Sequence, residues 1–268
     1  MKKFVLYLNG LDALSLASAA VLEIFKEREV VPERIYTCGI SSVFATDYAA
    51  RDENFERRVL NRFSFLSREF KPLLINVATK ESILTKLAEF YKFMSSATSK
   101  KIKGMVKEKF VLSRLGTIIT PKMDIVYSAV NILDTSEILI PYREWRIGLR
   151  ASIAIVPIFA PVEYKNKKLI STAVVTGVPG FSNIENEKRL KVFVNTMPNI
   201  PEVFPKRTWE IMLKADYART TTLIERFSKK FDFFLDFSKF REEIPDFTLN
   251  SWQHAKEIAK SMISKMDL

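Results

Sequence analysis

The sequence predicts an α/β fold organised on a parallel sheet, and three observations carry that prediction. Residues 3–50 read as strand, loop, helix, strand, sharp turn and helix, the order produced when crossover helices join parallel strands. Short apolar, β-prone runs then recur along the chain, separated by turn residues. Finally, 268 residues with 47% hydrophobic and 27% charged side chains can bury a large core without disulfide or metal staples.

Lys3 to Leu8 is an unbroken apolar run closed by Asn9-Gly10, as expected of a strand buried on both faces. Leu14, Ala17, Val21, Ile24 and Phe25 then recur at helical spacing, with Asp12 just ahead where an N-cap belongs. Pro32 breaks the chain, Ile35 to Cys38 is a second short strand ended by Gly39, and Val43 to Ala50 reads as helix. From Asp47 to Arg114 the pattern is mostly helical, with a possible strand at Leu73 to Val77. Strands are expected at Ile118-Ile119, Ile125 to Val130, Ile138 to Ile140, Leu169-Ile170 and Lys191 to Val194, while Ala151 to Ile155 is ambiguous. After Pro201 the chain is again largely helical, with a Phe-rich patch at Phe231 to Phe237 read as core or a helix-packing face. No internal repeat, low-complexity tract or linker divides the chain, so one domain over residues 1–268 is expected, its helical part from 205 to 268 packed on the same core.

Composition narrows the function classes. Cys38 is the single cysteine and His254 the single histidine, so there is no intramolecular disulfide and no Cys- or His-based metal site; neither metal nor cofactor is expected. A reducing cytoplasm fits this usage. Met1 to Leu8 followed by Ala17-Ser18-Ala19 imitates a signal peptide, but Asn9, Gly10 and Asp12 interrupt the apolar stretch and favour a buried strand. No apolar run approaches the roughly 20 residues that span a bilayer. The net charge is +11 with pI near 9.6, yet no nucleic-acid-binding signature accompanies it, and no nucleic acid partner is expected. The densest basic segment, Lys92 to Arg114, interleaves lysines with Met94, Ile102, Phe110 and Leu112; it reads as a solvated helix face, or else as a peripheral contact with an anionic membrane. Abundant Lys, Arg and Glu beside a single Gln253 resemble the usage of proteins from hot environments.

The turn Gly39-Ile40-Ser41-Ser42-Val43 sits where a strand passes into a helix, and a serine there can project above the sheet with a helix N-terminus behind it. By itself such a serine is more often a helix cap. The context adds weight. Leu8-Asn9-Gly10 opening a helix ahead of this turn, the segment Arg150-Ala151-Ser152-Ile153-Ala154-Ile155 leading into Pro157-Ile158-Phe159-Ala160-Pro161-Val162, and the tail Leu235 to Phe240 together resemble bacterial patatin-like phospholipases over essentially the whole chain. The resemblance implies a patatin-like three-layer α/β/α fold with a mostly parallel central sheet. It also implies a Ser–Asp dyad in which Ser41 attacks an ester carbonyl, an aspartate accepts its proton, and loop amides hold the oxyanion.

Laid on this chain, the family pattern is incomplete. The aspartate position falls on Ser171, and no aspartate occurs from Thr135 through Ala215. A serine hydroxyl is no general base near neutral pH, and losing one member of a catalytic set costs on the order of 10⁴-fold. Ser171 is expected to occupy the carboxylate's place beside Ser41. The family's glycine-rich oxyanion loop becomes Gly10-Leu11-Asp12-Ala13-Leu14-Ser15, where Asp12 brings negative charge toward an oxyanion. Val43 replaces the second elbow glycine. Asp12, Glu185 and Glu187 are the other carboxylates weighed as a base for Ser41, with a helix cap and a solvated pair as their plainer roles. These losses imply a catalytically impaired relative that binds a lipid or acyl chain, an anionic membrane or a protein partner. The alternative is an active phospholipase or esterase using Ser41 with a non-standard base.

Overall fold

The computed structural model of the chain describes residues 3–51, 53–69, 112, 118, 120–155, 159–199 and 208–266. Eight strands form one sheet: β1 (Phe4–Leu8), β2 (Arg34–Thr37), β3 (Ile125–Asn131), β4 (Glu137–Pro141), β5 (Val162–Tyr164), β6 (Lys167–Ser171), β7 (Leu190–Asn195) and β8 (Phe233–Asp236). Among the described residues six helices accompany them: α1 (Ser15–Glu27), α2 (Ser41–Ala49), α3 (Phe55–Glu69), α4 (Trp145–Ser152), α5 (Thr208–Ser228) and α6 (Leu249–Ile263). The strand order is β5-β6-β3-β2-β1-β7-β8, with β4 on the other edge of β3. Pairings among β2, β3, β1, β7 and β8 are parallel, and β4, β5 and β6 are antiparallel additions. The sheet is mostly parallel with helices on both faces, as the sequence predicts.

Strand alternation sorts the two faces. Phe4, Leu6 and Leu8 point toward α1, where the Phe4 ring meets Phe25 edge-on at 5.6 Å. On the same face Tyr127 lies under Gly148 of α4 and its hydroxyl meets Thr46 Oγ1 of α2 at 2.9 Å. The opposite face carries Tyr7 stacked on Tyr36, covered by Phe231 and by the loop leading into β7. There α5 packs through Phe227 against Phe181.

Helix α1 is buried from Ser15 through Phe25 because it runs between the sheet and α6, and its alanines allow close approach on both sides. Helix α2 is joined to α3 by a buried ion cluster. Arg62 grips Asp47 with two bonds of 2.8 and 2.9 Å, and Arg58 donates to the Asp47 carbonyl at 2.6 Å.

One region differs from the sequence reading. The Phe-rich run contributes to the core, one of the two roles expected of it, but as strand rather than helix: Phe233–Asp236 forms edge strand β8, with Phe237 buried and Phe234 partly exposed. Arg150 to Ser152, near the ambiguous Ala151–Ile155 stretch, ends a short helix that starts at Trp145. The possible strand at Leu73–Val77, Ile119 and the basic segment Lys92–Arg114, apart from Leu112, lie outside the described residues.

Candidate functional site

Parallel pairing brings the carboxyl ends of β1, β2 and β7 together, since Leu8 is level with both Thr37 and Val194. Open α/β sheets place ligand sites at such ends. Strand β6 follows β2 along the same edge of β3, with Ser171 opposite Ala129, and so delivers Ser171 to the same place. The residues singled out by sequence, Gly10, Leu11, Asp12, Gly39, Ile40, Ser41, Ser42, Val43 and Ser171, therefore gather at one end of the sheet.

The elbow is sharp and tightly held. Gly39 has φ +68°, a left-handed conformation that favours glycine, and a Cβ there would overlap the Gly10 carbonyl oxygen. The Gly39 amide donates to the Ser152 carbonyl at 2.8 Å and lies 3.2 Å from Ser171 Oγ, and the Ile40 amide donates to the Gly10 carbonyl at 2.8 Å. Ser41 is thereby the first residue of α2. Val43 is accommodated as a buried core residue of that helix, and Ser42 Oγ meets Thr37 Oγ1 at 3.3 Å.

Ser41 is fully buried. Its hydroxyl donates to the Asn9 carbonyl at 2.6 Å and lies 3.0 Å from Ser18 Oγ. A carbonyl accepts a hydrogen bond but does not take the proton at neutral pH, so this contact orients the serine without activating it. Among the described residues no carboxylate is hydrogen-bonded to Ser41. Ser171 Oγ does not bond Ser41 either; it accepts from the amides of Gly39 and Ala173, both at 3.2 Å, and so caps the Thr172–Val174 turn. The side chain at the expected aspartate position thus braces the elbow from behind.

The other candidate carboxylates are committed elsewhere. Asp12 is buried; one oxygen accepts from the Leu14 amide at 3.0 Å and the other pairs with Arg241 at 3.1 Å. Burial raises the Asp12 carboxyl above its ordinary value, with Arg241 and the Leu14 amide opposing the rise. Glu185 bonds Lys230, which holds it below the usual range. Burial pushes Glu187 up, but two bonds from the Arg189 guanidinium outweigh it and leave the carboxyl low. His254 contacts the Glu243 carbonyl on the surface, and no group of three potential metal ligands occurs among the described residues.

Four residues not singled out by sequence build the surroundings of Ser41. Asn9 is the centre: its carbonyl accepts from Ser41 and from Thr196 Oγ1, and its amide group donates to the Gly177 carbonyl at 2.6 Å and to Asn195 Oδ1 at 3.0 Å. Asn9 Oδ1 in turn accepts from the Thr196 amide at 2.7 Å. Ser15 and Thr196 crowd Gly10 so closely that a Cβ there would overlap Ser15 Oγ and fall 2.7 Å from Thr196 Oγ1 and 2.8 Å from Ser41 Oγ. Ser15 Oγ is buried with no hydrogen-bond partner among the described residues. The arrangement is a hydroxyl cluster, Ser15, Ser18, Ser41 and Thr196, around one backbone carbonyl. Such a cluster can orient donors toward an oxygen acceptor, but it supplies no proton acceptor of its own.

No family model matches the sequence, and no curated protein is similar to it. Among solved structures, the chain is similar to VipD from Legionella pneumophila with a TM-score of 0.43 and 11% identity, over 97% of this chain and 67% of that one. No helix among the described residues is long and apolar enough to cross a membrane.

Proposed function

We propose that this chain is a patatin-like protein on the scaffold of serine lipid acyl hydrolases, with catalysis impaired or lost, and that it acts by binding a lipid or acyl chain, an anionic membrane surface or a protein partner. One observation carries the reading: the Ser41 hydroxyl is buried and donates to the Asn9 carbonyl, with no carboxylate bonded to it among the described residues. The family assignment rests on the ordered motifs in the sequence and is supported by a strand-to-helix turn at Gly39 with a serine opening the next helix. A cytoplasmic location with peripheral membrane contact belongs to the same proposal.

A second reading, an active esterase or phospholipase using Ser41 with a non-standard base, draws on the same elbow and on the amides of Leu11 and Asp12, which have no internal acceptor among the described residues. A fluorophosphonate probe separates the two. The first reading expects no labelling beyond that of Ser41→Ala; labelling lost in the variant would establish an activated serine. Co-sedimentation with anionic vesicles across a salt series tests the membrane component, which requires binding that weakens as ionic strength rises.

A further inference from the structure

A small hollow of about 50 Å³ opens at the carboxyl ends of β7 and β8, closed on one side by the last turns of α5. Its walls mix two kinds of side chain. Met197, Ile224 and the ring of Phe234, 36% exposed, are apolar. Asn195, Glu225, Asp236 and Ser238 are polar. The space suits one small charged group rather than a whole drug-sized ligand.

The polar groups are unevenly satisfied. Asp236 Oδ1 accepts from Asn195 Nδ2 at 2.8 Å and from the Ser238 amide at 3.1 Å, which fixes the carboxylate in place. Its second oxygen has no partner among the described residues, and neither Asp236 nor Glu225 forms an ion pair there. Ser238 is 5% exposed, lines the concavity, and its hydroxyl likewise makes no hydrogen bond among the described residues. The nearest lysine in sequence, Lys239, holds its ammonium 5.3 Å from the Phe240 ring. The carboxyl end of α5 adds its own negative pole on the Glu225 side.

We infer that this hollow binds an organic ammonium group. The Asp236 and Glu225 carboxylates supply the counter-charge, Ser238 Oγ accepts a hydrogen bond from an N–H, and the Phe234 ring with Met197 and Ile224 covers the alkyl substituents. With two carboxylates and, among the described residues, no third acidic, histidine or cysteine side chain grouped with them, the donor set suits an alkylammonium better than a divalent metal ion. The same chemistry is presented by free amines such as choline or ethanolamine and by zwitterionic lipid headgroups.

The test is titration of the whole protein with choline and with ethanolamine, followed by calorimetry or by chemical-shift changes, alongside Glu225→Gln and Asp236→Asn. Saturable binding is expected, weakened tenfold or more by each variant. Glu225 is exposed on α5, so Glu225→Gln keeps the test decisive even if Asp236→Asn disturbs the Ser238 turn. Parallel flotation with phosphatidylcholine and phosphatidylglycerol vesicles assigns the source. Capture by phosphatidylcholine that Glu225→Gln abolishes identifies a headgroup, and binding of the free amine alone identifies a soluble ligand. Absence of saturable amine binding, binding indifferent to both substitutions, or tighter binding of calcium at the same residues would overturn the assignment. None of these outcomes depends on whether Ser41 is active.

Discussion

Replacing Gly39 by alanine probes the elbow most sharply. The added Cβ meets two obstacles. The residue holds φ +68°, which costs an L-side chain roughly 1–2 kcal/mol. In addition, the Cβ overlaps the Gly10 carbonyl oxygen and comes within 3.0 Å of Ala173 Cβ, so the Gly10 peptide must retreat. That movement breaks the 2.8 Å bond from the Ile40 amide in a fully buried place, an unsatisfied-group penalty of about 1–3 kcal/mol. The sum, roughly 2–5 kcal/mol, is a large share of the 5–15 kcal/mol by which domains are commonly stable. Urea unfolding followed by circular dichroism should show the unfolding free energy falling by that amount, through a lower midpoint at an unchanged slope. A Gly39→Ala protein within about 0.5 kcal/mol of wild type would mean that Gly39 is not left-handed and that the turn presenting Ser41 is drawn wrongly.

Three other substitutions have defined outcomes. Asp47→Asn removes the buried carboxylate that Arg62 grips with two bonds, so chemical unfolding should show a loss of about 3–5 kcal/mol. Glu23 is 8% exposed, has a buried oxygen without a hydrogen-bond partner among the described residues, and burial raises its carboxyl above the ordinary value. A raised native value means that the folded chain binds the proton more tightly, so stability is greatest below the unfolded value near 4.3 and declines as pH rises through the native one. Glu23→Gln should therefore flatten that decline and gain stability relative to wild type between mildly acidic and neutral pH, read from thermal melts across a pH series. Ser171→Asp should fold, its carboxylate accepting the Gly39 and Ala173 amides, yet give no Ser41-dependent ester turnover by itself, because the loop and elbow substitutions remain. Turnover in this variant would reveal a serviceable oxyanion loop at Leu11 and Asp12.

Local signals account for what was legible in the sequence. The run Phe4 to Leu8, the stripe from Leu14 to Phe25 and the Gly39 turn each declare themselves within one element, and they place Gly10 and Ser41 at the carboxyl ends of neighbouring strands. The role of Asn9 beside Ser41 is not legible locally because it depends on Thr196 and Asn195, which β7 brings back beside β1 from the far half of the chain. Ser171 ends strand β6, but its partners are not legible in the sequence. The capped turn Thr172–Val174 directs its short side chain to the Gly39 amide rather than to Ser41. Strand β8 was hidden because four residues at a sheet edge carry too little alternation to distinguish them from an aromatic helix face. Arg241 likewise reaches Asp12 only through the packing of the C-terminal segment.

Steady-state hydrolysis of short- and long-chain p-nitrophenyl esters by wild type and Ser41→Ala, at matched concentration and across pH, tests the central claim most directly. If no carboxylate takes the serine's proton, the two proteins give the same background rate at every pH. A rate that collapses in the variant, rising in wild type with the ionisation of a carboxylate, would contradict the account.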